Sequence, residues 1–140
     1  MNNVLWARMH GGATHFPIAL LIVSVFFDHA GFWWQNNPRR RDFIVVGFFS
    51  VTIAAAASFA AVLSGLALSQ GKLLGTGAMA LHHGFVWPAF SVLVGLATWR
   101  LIVRERATRR AFASYLVLAT ATAAAMIAAG FWGGEMALGR

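Results

Sequence analysis

The sequence predicts an all-α integral membrane protein, a four-helix up-and-down bundle spanning residues 1–140 as one domain. Three observations carry this. Hydrophobic residues make up 59% and charged residues only 11% of the 140 positions, against about 25% charged in a soluble domain. The apolar residues fall into four stretches, each with roughly the 20 residues a bilayer demands. The arginines gather between these stretches, as membrane topology predicts. The net charge of +7 therefore points to topology and gives no reason to expect a nucleic-acid partner. With no cysteine in the chain, disulfides, thiolate metal sites, iron–sulfur clusters and covalent c-type haem are excluded.

The first helix is expected over about 14–34. Thr14 is placed to cap it, and Pro17 would fall in the first turn, where a missing N–H is harmless. Trp33 and Trp34 would sit at a membrane–water interface. The stretch has no basic leader beyond Arg8 and no small-residue cleavage site after it, so it reads as a retained helix and not a signal peptide. A polar turn with Arg39, Arg40 and Arg41 follows. The second helix is expected over about 43–69, rich in alanine, with Ser58, Ser64 and Gly65 as small surfaces for close packing. A glycine-rich loop leads to a third helix over about 79–103, with Pro88 inside it, and a fourth over about 112–131. No internal repeat is evident.

Eight of the eleven basic residues (Arg39, Arg40, Arg41, Arg100, Arg104, Arg106, Arg109, Arg110) fall on one side if the helices alternate in direction. Arg8, Lys72 and Arg140 fall on the other. The positive-inside rule makes the eight-arginine side cytoplasmic and puts both termini outside, periplasmic in a bacterial inner membrane.

Alternating helices also sort the histidines by depth. His10, His15, His82 and His83 converge on the outer half, and His29 lies alone near the other face beside Asp28. Ionisable groups within a bilayer usually mark a site. Two histidines on facing membrane helices are the ligand set of a b-type haem. The expectation is one haem b near the periplasmic face, with His15 as the first ligand and His82, or else His83, as the second. Their nitrogens would then lie about 4 Å apart. Gly84 would leave room beside the ring, Pro88 would free the Gly84 carbonyl for a kink, and Arg8 would lie where propionates emerge. His15 and His29 are separated by 14 residues, the spacing of ligands in two-haem cytochromes, but His29 has no histidine partner. It is read as an interfacial polar pair with Asp28.

The run His10-x4-His15-Phe-Pro-Ile-Ala-Leu, followed by Phe27-Asp28, resembles the opening of the small bacterial four-helix membrane proteins grouped as domain of unknown function 2231. Ser64-Gly65, Leu81-His82 and the Gly130–Gly134 segment resemble that family's later pattern. The Leu-His resemblance favours His82 over His83. Family members often accompany c-type cytochrome modules, so the resemblance implies a periplasmic redox role.

The function expected is therefore electron transfer between quinol, other membrane subunits and a periplasmic c-type cytochrome. Two alternatives stand beside it. One is a cofactor-free structural subunit of a respiratory or photosynthetic complex. The other is a copper or zinc site formed by His10, His15 and His82, since imidazoles suit both metals.

Overall fold

The computed structural model describes residues 2–139, apart from the side chains of residues 2, 3 and 105. It contains four long helices: α1 (Asn2–Trp33), α2 (Arg40–Leu68), α3 (Ala78–Val103) and α4 (Arg109–Ala137). A single 3-10 turn (Arg104–Arg106) joins α3 to α4. All four helices are long and apolar enough to cross a membrane. Each helix packs on its neighbours in the cyclic order α1, α2, α3, α4, and among the described residues the diagonal pairs do not touch at the backbone level. The α1–α2 and α3–α4 hairpins are the more closely packed pairs.

Side-chain size explains the pairing. The buried face of α2 is Gly47, Ser50, Val51, Ala54, Ala55, Ser58, Ala61 and Ser64. These recur at helical spacing and are nearly all small, so α1 can approach closely, and in a bilayer such close packing drives helix association. Leu21, Val51, Ala54, Leu93 and Ala119 are fully buried at the centre. Large apolar side chains such as Phe16, Phe26, Leu63, Ile102 and Val117 point outward. An apolar outer surface on an apolar-cored bundle is the pattern of helices in lipid.

Helix α1 starts far earlier than the expected residue 14. His10 explains this: its ring is anchored to α2, which draws the segment before Thr14 into the bundle. Thr14 is not a cap. Its hydroxyl donates back to the Gly11 carbonyl at 3.0 Å, the habit of a threonine inside a helix. Pro17 is likewise interior and fully buried, and its missing N–H leaves the Ala13 carbonyl without its usual partner. Arg100, counted above among the eight arginines of the cytoplasmic side, lies in the last turn of α3 and is 1% exposed. Arg140 lies outside the described residues.

Candidate functional site

Three histidines, His10, His82 and His83, meet in one layer near the ends of the helices that bear the two termini. His10 on α1 points towards α2, where its Nδ1 lies 3.0 Å from the Ala61 carbonyl and 3.3 Å from the Ser64 hydroxyl. His82 on α3 points towards α4, with Nδ1 2.7 Å from the Ala129 carbonyl. A carbonyl can only accept, so both Nδ1 atoms carry the proton and both Nε2 atoms keep a lone pair. The two rings come from diagonal helices. Their centroids are 6.3 Å apart and their planes nearly perpendicular, at 84°.

Glycine makes room behind each ring. A Cβ at Gly65 would come within 2.9 Å of His10 Cε1, and one at Gly133 within 3.4 Å of the His82 ring. The rings border a cavity of about 150 Å³ within a wider, partly open slot of about 870 Å³. All four helices line it, with Pro17, Ser58, Trp87, Phe90 and Met126 among the walls. His83 lines the slot too, 5.6 Å from His82 ring to ring. Its Nδ1 is buried and has no hydrogen-bond partner.

Two expected site residues, His15 and Gly84, do not line the slot. His15 is exposed on the outer surface of α1 and does not border the slot. It stands five residues from His10, and five residues turn a helix through 500°, which points the two rings about 140° apart. Gly84 and Arg8 are also exposed, and nothing lies within 4 Å of where a Gly84 Cβ would be. The trio His10, His15 and His82 does not come together, and no three of the described histidine and carboxylate side chains are grouped to hold a metal ion.

A second polar layer lies towards the opposite ends of the helices, and it was not expected. Asp28 on α1 is fully buried, and its Oδ1 accepts from Arg100 Nη2 on α3 at 3.1 Å. The same Nη2 lies 2.9 Å from the Ile44 carbonyl of α2. Tyr115 on α4 donates its hydroxyl to Asp28 Oδ2 at 2.9 Å. The Ser24 hydroxyl lies 2.9 Å from the Gly47 carbonyl and 3.2 Å from Asp28 Oδ2. A Cβ at Gly47 would overlap the Asp28 carboxylate.

Arg100 Nε and Nη1 have no hydrogen-bond partner. The guanidinium instead lies 5.1 Å from the Phe112 and Tyr115 ring centres, within reach of a cation–π attraction. Asp28 is thus committed to the bundle and is not paired with its neighbour. His29 turns to its own helix, with Nδ1 2.8 Å from the Val25 carbonyl.

The two layers share one period. His10 to Asp28, Gly47 to Gly65, His82 to Arg100 and Tyr115 to Gly133 are each 18 residues apart. That is five whole turns, about 27 Å along a helix, and it returns to the same face. The hairpins are therefore pseudo-equivalent at these positions, α1 matching α3 and α2 matching α4. A motif search misses this repeat because the paired residues differ in type, as aspartate against arginine and glycine against tyrosine.

No curated protein and no solved structure matches this chain. Residues 8–139 match the family described as predicted membrane protein (DUF2231), and the chain belongs to that family.

Proposed function

We propose that this protein is a membrane-embedded electron-transfer protein, or the electron-transfer subunit of a larger complex, that holds one haem b on His10 and His82. The observation that carries the reading is the close approach of two imidazoles, one from each hairpin. Two metal–nitrogen bonds of about 2 Å, plus about 1.1 Å from each nitrogen to its ring centre, sum to roughly 6.2 Å. The ring centres stand 6.3 Å apart. Each Nδ1–H is held by a backbone carbonyl. That is the outer-sphere arrangement that fixes a ligating histidine's tautomer and orientation.

The cavity between the rings measures about 150 Å³, below the roughly 300–1,000 Å³ usual for cofactor pockets, so on this reading the two hairpins part at this end when the group enters. Gly65 and Gly133 let the two rings lie close against α2 and α4. When bound, the haem would supply a one-electron couple. The protein's part is to fix the two rings, exclude water with Pro17, Phe90 and Met126, and hold the group near one end of the bundle. Seven arginines lie in or beside the two connections at the opposite end. The positive-inside rule makes that end cytoplasmic and places the haem towards the periplasmic side of a bacterial inner membrane. A periplasmic c-type cytochrome and other membrane subunits are the fitting partners.

The test is the absorbance spectrum of protein purified in detergent from haem-replete cells. A Soret band with reducible α and β bands is expected, lost in His10→Ala and His82→Ala and kept in His15→Ala. A native chain without a Soret band would overturn the reading and leave a cofactor-free structural subunit. Loss of haem in His15→Ala but not in His10→Ala would overturn the ligand assignment.

A further inference from the structure

The end of the bundle opposite the histidine slot carries charge that the fold does not use. Arg39, Arg40, Arg41, Arg104, Arg106, Arg109 and Arg110 lie there, against two acidic residues, Asp42 and Glu105. Arginines also stand at the starts of α2 and α4, where the helix dipole already favours an anion, and the first turn of α4 holds no acidic residue. Among the described residues, the side chains of Arg39, Arg104, Arg106 and Arg110 have no hydrogen-bond or ion-pair partner.

Two of the seven are held in place. Arg40 Nε donates to the Gly31 carbonyl at 3.0 Å, and the Arg109 guanidinium lies 4.7 Å from the Phe32 ring centre. One arginine comes from the start of α2 and the other from the start of α4, and both rest on consecutive residues in the last turn of α1. Arg40 keeps its two Nη groups and Arg109 its whole fork for a further acceptor. Beside them the chain leaves α1 through Trp33, Trp34, Gln35, Asn36 and Asn37, which line a shallow, open depression. Trp33 and Trp34 are 67% and 55% exposed, and Trp34 packs on Phe43 of α2 with ring centres 5.8 Å apart. Asn37 Oδ1 accepts the Arg39 backbone N–H at 2.8 Å, which leaves its amide N–H groups for a ligand.

We propose that this end binds one anionic phospholipid, with its phosphate on Arg40 and Arg109 and its glycerol and first methylenes against Trp33 and Trp34. Guanidinium forks match phosphate oxygens. Tryptophans at the end of a membrane-spanning helix sit at the headgroup level, so the phosphate that reaches these arginines there is one carried by a lipid. A zwitterionic lipid brings the same phosphate with an ammonium, which the surrounding arginines repel. The site is separate from the haem reading and stands without it.

The experiment is native mass spectrometry of the purified full chain, stripped of lipid in micelles and titrated with phosphatidylglycerol or with phosphatidylcholine of the same acyl chains. The native chain should retain one phosphatidylglycerol with roughly tenfold or greater preference, the factor that two arginines near an anionic headgroup contribute. The double variant Arg40→Gln with Arg109→Gln should reduce that preference to about twofold. Arg106→Gln with Arg110→Gln removes the same charge from the same end and should keep most of it. Circular dichroism checks the fold of both, and the native-chain comparison decides even where a variant fails to fold. Equal retention of the two lipids by the native chain would overturn the site. Equal losses in the two double variants would also overturn it, since attraction would then belong to the whole basic surface. Displacement of the lipid by an equal concentration of glycerol 3-phosphate would make the occupant a soluble anion and overturn the lipid assignment.

Discussion

The histidine layer and the ion-pair layer are built on the same faces of the same four helices, five turns apart, and they solve opposite problems. In the ion-pair layer the polar groups of all four helices bond to one another across the bundle. Asp28 of α1 meets Arg100 of α3 and Tyr115 of α4, and Arg100 reaches the α2 backbone. In the histidine layer each ring bonds only within its own hairpin, His10 to α2 and His82 to α4. The hairpins are tied together at one end, and at the other they face each other across a slot. The closed layer gives the bundle a fixed register. The open layer keeps two Nε2 lone pairs available and leaves His83 Nδ1 without a partner. A polar group in a bilayer is expensive unless it is satisfied, so a layer left unsatisfied is where a ligand belongs.

The largest effect should come from breaking the closed layer. Arg100→Ala leaves the Asp28 charge buried with no cation, and stability should fall by about 3–5 kcal/mol. The double variant Asp28→Leu with Arg100→Met should recover most of that, because an apolar pair leaves no unmatched charge. Unfolding in mixed detergent micelles measures both. If Arg100→Ala is as stable as the native chain, the closed layer is not what ties the hairpins.

The same reasoning separates two glycines at pseudo-equivalent depths. Gly47→Ala would drive a methyl into the Asp28 carboxylate, which three other bonds hold in place, and should destabilise by about 2–3 kcal/mol. Gly65→Ala would press on the His10 ring at its Cε1 edge, but that ring borders open space and can swing aside. Its loss should be about 1 kcal/mol, with His10 displaced and haem content reduced. Equal losses at the two positions would mean that the histidine layer is as rigid as the other.

Much of this architecture was readable in the residues. The four spans follow from hydropathy, and their alternation brings four histidines to one end. Which histidines face inward was not readable from the motif. His10 lies before the apolar run and resembles a residue outside the helix, and only its bond to Ala61 shows that the helix already includes it. His15 lies beside Phe16 and Pro17 in the most recognisable stretch, yet the helical phase that turns His10 inward turns it to the surface. Arg100 ends an apolar helix among other arginines and so resembled a loop charge. Its partner was 72 residues away. The available clue was the 18-residue spacing, which puts Asp28 below His10 and Arg100 below His82 on single faces.

Within the closed layer, Tyr115→Phe removes one hydroxyl and leaves the ring between Trp99 and Phe112, which stack on it at 5.3 and 5.4 Å. Asp28 loses one hydrogen bond to a charged acceptor and keeps Arg100 and Ser24. The expected loss is about 1.5–2 kcal/mol, read in the same unfolding assay and clearly below that of Arg100→Ala. A loss as large as that of Arg100→Ala would assign the hydroxyl, and not the ion pair, the dominant part.

The smallest effect should come from the histidine that looks most important in the sequence. His15 is exposed on α1, turned away from the face that carries His10 and Pro17, and no hydrogen bond to its ring accompanies those of His10, His29 and His82. His15→Ala removes no packed atoms from the core and unpairs no buried group. Its stability should stay within about 0.5 kcal/mol of the native chain, as for surface substitutions generally. His10→Ala differs from it by five positions and one face. It removes one hydrogen bond to the Ala61 carbonyl, which keeps the one from the Ser64 hydroxyl, and a wall of the slot, so it should cost about 1 kcal/mol and, in haem-replete cells, the Soret band. Measured side by side, the two variants isolate the helical phase of α1 at this depth. If His15→Ala proves the more damaging, α1 is rotated from the position described, and the His10–His82 pairing and the 18-residue period both fail with it.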